Sequence, residues 1–145
     1  MKKIILLALL TAGFAFQSCS DDDDLTSVPE SISTAFQQKY PNAAPSEWEK
    51  QGTGYKADFW NNGAEAEAWF NADGTWIRTE TDVPNPSAAL PQPVRDYVST
   101  TYAGYYIEDA DLVETPSQTY YELELERQGS ADIYLNIKAD GTLLN

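Results

Sequence analysis

The chain has 145 residues, 23 acidic against 9 basic side chains, a formal net charge of −14, one cysteine and no histidine. Such a polyanion is repelled by nucleic acid and by anionic lipid, which excludes both as partners. The missing histidine removes the usual general base and the commonest zinc and haem ligand.

The first element is an address. Lys2 and Lys3 precede an apolar or small run over residues 4–16, shorter than the ~20 residues that cross a bilayer as a helix. This is the pattern of a signal peptide, assigned to residues 1–18. It ends in Ser18-Cys19. A small residue before a lone cysteine, behind an apolar run, resembles the lipobox of bacterial lipoproteins. Phe16 and Gln17 depart from the leucine and small residue usual there. The resemblance implies lipidation of Cys19, and a membrane attachment by that anchor only. The competing reading is a free or buried thiol, which an oxidising compartment disfavours.

Ser20, Asp21, Asp22, Asp23 and Asp24 follow. Like charges in a block repel one another and stay solvated, so residues 19–27 read as an acidic tether. Ser-Asp-Asp after a lipidated cysteine also looks like the export signal of surface-displayed outer-membrane lipoproteins. The expected location is the outer membrane, on the cell surface in preference to the periplasmic face.

What remains is roughly 125 residues, enough for one compact domain with a modest core. It makes the same statement twice. Val28, Ile32, Phe36 and Tyr40 recur every fourth residue, the spacing of one helical stripe. Ser27 and Glu30 suggest a capping box, Pro29 suits a first helical turn, and Pro41 ends the helix. Strand signals follow over residues 46–50, 55–60, 64–70 and 75–80. The separators Gly52-Thr53-Gly54, Asn61-Asn62-Gly63 and Asn71-Ala72-Asp73-Gly74 are hairpin chemistry.

A linker over residues 84–89, rich in proline, precedes the second copy. Leu90, Val94, Val98 and Tyr102 repeat the helical stripe, and strands are expected over 110–114, 120–126, 131–138 and 142–144. The offset between the copies grows from Val28/Leu90 to Thr75/Thr142, as small loop insertions would cause. The expected fold class is therefore α+β. Two tandem repeats (28–83 and 90–145), each a helix and a four-stranded antiparallel meander, form one curved sheet with helices on one face. A monomer is expected.

Helix, Tyr-Pro, a first strand with Trp48 and glutamates, alternating Tyr55 and Phe59, then Asp-Gly-Thr: this order, doubled, resembles the PepSY-like, or β-lactamase-inhibitory-protein-like, family. The resemblance covers most of residues 28–145. It implies a non-catalytic envelope protein whose concave sheet binds or inhibits an enzyme. No residue of a defined inhibitory loop carries over.

The residues offer little to catalysis. No phosphate-cradling glycine loop or nucleophile elbow occurs. Asp58 with Glu65 or Glu67 could serve as paired carboxylates, but acidic chains place many carboxylates on sheet faces for solubility. The acids at 108–111 and 21–24 lack the spacing of an EF-hand loop. No cofactor, no metal and no enzymatic activity are expected.

Strand side chains alternate between faces. Tyr55, Ala57, Phe59, Ala66, Ala68, Phe70 and Ile77 are expected under the helix, with Trp48 also in the core. The second copy has Tyr121, Leu123, Leu125, Ile133, Leu135, Ile137 and Leu144 in that role. The other face then receives Lys56, Asp58, Trp60, Glu65, Glu67, Trp69, Trp76 and Arg78. Glu126, Asn136 and Leu143 hold the matching positions of the second copy. Three tryptophans on a charged, solvent-directed face suit a binding surface; the competing reading is that they pack on one another, on the linker or against the second sheet. The expected function is binding of a protein or peptide partner on this face, with a glycan as the alternative.

Overall fold

The computed structural model describes residues 28–144. Met1 to Ser27 and Asn145 lie outside the described residues, and with them the signal peptide, Cys19, Ser20, Asp21 to Asp24 and the capping serine Ser27. In chain order the elements are α1 (Glu30–Lys39), β1 (Pro45–Gln51), β2 (Gly54–Asn61), β3 (Ala64–Phe70), β4 (Trp76–Asp82), α2 (Pro86–Ala89), α3 (Gln92–Thr101), β5 (Tyr106–Glu114), β6 (Thr119–Glu126) and β7 (Ile133–Ile137). The strands form one seven-stranded antiparallel sheet in the order β1 to β7.

Every neighbouring pair but one is joined by a short turn. β4 and β5 are instead separated by α2 and α3, and pair over Thr79–Asp82 against Asp111–Glu114. That ladder makes one sheet of what would otherwise be two.

Both long helices cover the same face of it. Ile32 and Phe36 of α1 are buried against Ala57, Phe59, Ala66, Ala68 and Phe70. Leu90, Val94 and Val98 are buried against Ala110, Leu123, Leu125, Leu135 and Ile137. The helical stripes read from the sequence are thus the docking stripes, with Val28, Tyr40 and Tyr102 packed at their ends. The burial of these apolar side chains is the main drive for the helices to dock, since ten-residue helices are marginal alone.

The two Asp-Gly-Thr turns set how closely sheet and helix approach. Asp73 Oδ1 accepts a hydrogen bond from the Thr75 amide at 2.9 Å, and Asp140 Oδ1 accepts one from Thr142 at 2.9 Å. Gly74 and Gly141 have φ of 88° and 84°. A Cβ on Gly74 would lie 2.9 Å from the Ser31 carbonyl oxygen, and one on Gly141 3.0 Å from that of Pro93. Glycine is required at both for conformation and for space.

Four expectations are corrected. Residues 142–144 form no fourth strand of the second half; they contribute only an isolated bridge, Ile137 with Leu143. β5 begins at Tyr106, well before residue 110, because a bulge between Ile107 and Asp109 lets the pairing with β6 continue past the irregularity. The linker holds a short helix, α2, tied down by Arg95 Nη1 donating to the Ala88 carbonyl at 2.8 Å. Finally, Ile77 and Trp76 exchange faces. Trp69 pairs with Arg78 but Phe70 pairs with Trp76, leaving Ile77 as an extra residue in β4. Such a bulge turns the following side chains over. Ile77 is consequently 41% exposed, and Trp76 packs with the α1 core.

Candidate functional site: the open face of the sheet

The face opposite the helices carries charge in rows that run across the strands. Glu49, Lys56, Trp69 and Arg78 are successive register partners from β1 to β4. Next to them run Asp58, Glu67, Glu80, Val113 and Tyr120, from β2 to β6. A third row pairs Asp82, Asp111, Glu122 and Asn136, from β4 to β7. Trp60 and Glu65 are paired on β2 and β3 beyond Asp58 and Glu67, and Trp60 is 60% exposed. Of the residues expected on this face, Lys56, Asp58, Trp60, Glu65, Glu67, Trp69 and Arg78 are there. Trp76 is not.

The two cations are occupied within the face. Lys56 Nζ lies 2.8 Å from Glu67, 3.1 Å from Asp58 and 3.3 Å from Glu49. Burial pulls its pKa down, but hydrogen bonds to Glu67, Asp58 and Glu49 outweigh that and hold it above the ordinary lysine range. The Arg78 guanidinium lies 4.2 Å over the Trp69 ring and 2.8 Å from Glu80. Trp69 is therefore half-buried under a cation, and Trp60 is the free indole of the face.

The third row has no such compensation. Among the described residues no lysine or arginine pairs with Asp82, Asp111 or Glu122. Like charges directly opposite each other in a sheet oppose folding. Burial, then Asp109, Asp82 and Glu80, push Asp111 from 3.8 to about 7. Glu80 is also raised, first by burial, with Glu122 and Glu67 adding and Arg78 opposing.

A raised carboxyl pKa means the folded state holds the proton more tightly than the unfolded chain does. Stability then falls as pH rises from about 4 to about 7 and is level above. Asp111→Asn is expected to stabilise the fold at pH 8 by about 1–2 kcal/mol after allowance for solvent screening, and to be neutral near pH 4. Urea melts at the two pH values check it; an equal effect at both would show that Asp111 carries no strained charge.

Aromatic side chains continue the face into the second half, which the sequence reading left to Glu126, Asn136 and Leu143. Tyr106 is 52% and Tyr134 71% exposed. Their hydroxyls donate to Glu126 and, at 2.7 Å, to Glu124. The hydrogen bond to Glu126 raises Tyr106 to about 12. The sequence signal for them is the alternation Glu122, Glu124, Glu126 on β6, whose cross-strand partners include Tyr106 and Tyr134.

Two hollows follow from this arrangement. One, of about 420 Å³, lies over β1 to β5 and is lined by Trp60, Glu65, Glu67, Glu80, Asp82 and Asp111 among others. The second, of about 200 Å³, lies over β5 to β7 between Asp109, Asp111, Glu124 and Tyr134. Asp111 lines both, so the two hollows adjoin on β5 and together reach over both halves of the sheet. Among the described residues no group of three or more acidic, histidine or cysteine side chains is arranged to hold a metal ion. No helix among them is long and apolar enough to cross a membrane.

Comparison with known proteins places this architecture. The family model described as beta-lactamase-inhibitor-like, PepSY-like matches residues 21–63 and 53–145. A BLIP-like protein of Bacteroides fragilis is similar in structure, with 32% identity, 86% of this chain and 89% of that chain covered, and a TM-score of 0.73. A DUF2874 family protein of Bacteroides ovatus matches at 26% identity over 81% and 84% of the two chains, with a TM-score of 0.72. A protein of Bacteroides eggerthii named as periplasmic shares the fold at 22% identity, 81% and 86% coverage and a TM-score of 0.72. No curated protein matches this chain.

Proposed function

Since the chain belongs to the PepSY-like, beta-lactamase-inhibitor-like family, we propose that it is a non-catalytic binding protein of the cell envelope. Its open sheet face grips a protein or peptide, in the manner of an inhibitor. The observation that carries this reading is the pair of adjoining hollows on the open face, one over β1 to β5 and one over β5 to β7, which share Asp111. A sugar-binding platform needs indoles side by side. Trp60 pairs with Glu65 and Trp69 with Lys56, so they stand apart on neighbouring strands, and Trp76 is under α1. The geometry favours a polypeptide over a glycan.

We read the two halves as a duplicated unit, supported by the matching helical stripes and the matching Asp-Gly-Thr turns. The duplication supplies width: one half alone offers too short a groove for a standard interface.

Trp60→Ala tests the binding reading. Trp60 touches no core cluster, so its loss is expected to change stability by less than about half a kcal/mol. Loss of an aromatic anchor commonly weakens binding by ~2 kcal/mol or more. Capture of the partner from envelope extract should fall away while the melt is unchanged. Undiminished capture by the variant would sink the assignment of the site.

For location, the leader and Cys19 support an outer-membrane lipoprotein, with Ser20 and Asp21 to Asp24 as its surface-export signal. One acyl anchor of this kind supplies burial that the polar domain lacks. Cys19→Ala is expected to release the protein from the membrane fraction. Unchanged retention, together with no acyl mass on the wild-type chain, would refute lipidation.

A further inference from the structure

Resting on that binding reading, we infer that the occupant of the open face is a cationic polypeptide segment, rich in lysine or arginine, seated along the row Asp82, Asp111 and Glu122. The argument is charge complementarity on an unpartnered sheet face. Two adjacent rows of this face set carboxylates directly opposite carboxylates: Asp58 with Glu67 and Glu67 with Glu80, then Asp82 with Asp111 and Asp111 with Glu122. Asp109 opposite Glu124 extends the pattern. A fold selected for stability alone would interleave the signs, as cross-strand pairs of opposite charge are favourable and like pairs are not. Departures of this kind from local consistency are expected at functional sites.

The chain's own cations separate the two rows. Lys56 and Arg78 neutralise much of the first, through Asp58, Glu67 and Glu80. The second receives no cation from the described residues; Glu122 accepts only the Tyr120 hydroxyl, at 3.3 Å. A lysine or arginine brought by a partner would therefore enter at Asp82, which lines the first hollow, and Asp111, which lines both. Trp60 lines the first hollow and Tyr134 the second, both exposed. Each offers a π face on which a cation or the stem of a long basic side chain can rest.

Complementarity also argues against the occupants closest to hand. The segment leading into the described domain carries Asp21 to Asp24, and a second copy would present the same acidic face. Both are repelled by it.

Proton uptake by Asp111 gives the binding a pH dependence. The charged groups facing Asp111 are Asp109 on its own strand, Asp82 and Glu80 on β4 and Glu122 on β6. All are acidic, and Arg78 is committed to Glu80. Affinity for a cationic segment therefore falls as pH drops through about 7.

The test is calorimetric titration of the chain with a short alternating lysine–alanine peptide, beside an alternating glutamate–alanine peptide, spermine and calcium chloride. The lysine peptide should bind and the glutamate peptide should not. Affinity should weaken at least about tenfold on raising salt from about 0.05 to 0.3 M, as screening shortens the reach of the face. The Asp82→Asn, Asp111→Asn double variant should also weaken it at least about tenfold. Glu30→Gln with Asp96→Asn, which removes the same charge from the helix side, should leave it unchanged.

Equal weakening by the helix-side variants would reduce the effect to net charge and overturn the inference. Equal or tighter binding of spermine or calcium at the same residues would also overturn it, as a small-cation site. If the lysine peptide fails to bind while partner capture still depends on Trp60, the binding reading stands and the occupant has another chemistry. If capture is also indifferent to Trp60, the binding reading itself fails.

Discussion

Phe36→Ala is expected to destabilise the domain by about 3–5 kcal/mol, the range for deleting a fully buried aromatic side chain. Phe36 is 1% exposed and is the hub of the first core. Its ring centroid lies 5.0 Å from Phe59, 5.2 Å from Tyr40, 5.6 Å from Trp48 and 6.3 Å from Phe70. The Phe59 and Trp48 rings meet it edge-on, the geometry in which aromatic pairs add to simple burial. Truncation removes all four contacts at once and leaves a void between α1 and β1 to β3. A domain of this size has about 5–15 kcal/mol in total, so α1 should undock well below the melting temperature of the wild type. Thermal and urea melts followed by tryptophan fluorescence measure the effect. A loss under about 1 kcal/mol would mean that the cluster collapses around the void and that Phe36 does not hold the helix.

Trp76→Ala should lower stability by about 2–4 kcal/mol, somewhat less than a fully buried aromatic because the indole is only half-buried. Three interactions go with it. Its ring packs with the α1 core, the Lys39 ammonium lies 3.5 Å over the ring, and its Nε1–H donates to Thr79 Oγ1 at 2.9 Å. Thr79 is fully buried, and without the indole it keeps only its short hydrogen bond with Tyr40. A buried hydroxyl that loses a partner is destabilising in its own right. Burial also raises the Tyr40 hydroxyl to about 12, with the Thr79 hydrogen bond opposing and Glu114 adding, so Tyr40 stays protonated across the physiological range. The discriminating comparison is with Trp60→Ala, expected to melt like the wild type. Should Trp76→Ala leave the melt unchanged and abolish partner capture instead, the assignment of faces in β4 is wrong.

Much of this fold was legible because it rests on short-range periodicity. Val28, Ile32, Phe36 and Tyr40 recur at helical spacing whatever they later pack against, and the alternation from Tyr55 to Trp60 has one buried face in any antiparallel sheet. Asp-Gly-Thr turns are equally local, since the aspartate closes onto the amide two residues on. Long-range register is not carried by such local signals. Trp76 and Ile77 alternate with each other, yet each faces opposite to the side its spacing predicts. Their faces depend on the register with β3, where Phe70 opposes Trp76 and the bulge leaves Ile77 over. A one-residue slip reverses every side chain it precedes.

The candidate site divides in the same way. Composition and patterning alone determined that this protein is an acidic chain with an apolar helix-facing side and a charged open side, and that its domain carries no histidine and no thiol. Only the tertiary structure decided that Asp82 meets Asp111, because β4 and β5 are separated by α2 and α3 and no local rule specifies their pairing. It also decided that Lys56 and Arg78 pair with the first acidic row while, among the described residues, no cation pairs with the second. The physical reason is range. Periodicity and turn chemistry act over a few residues and can be read in order along the chain, whereas charge pairing and sheet register join residues distant in sequence and exist only once the sheet has closed.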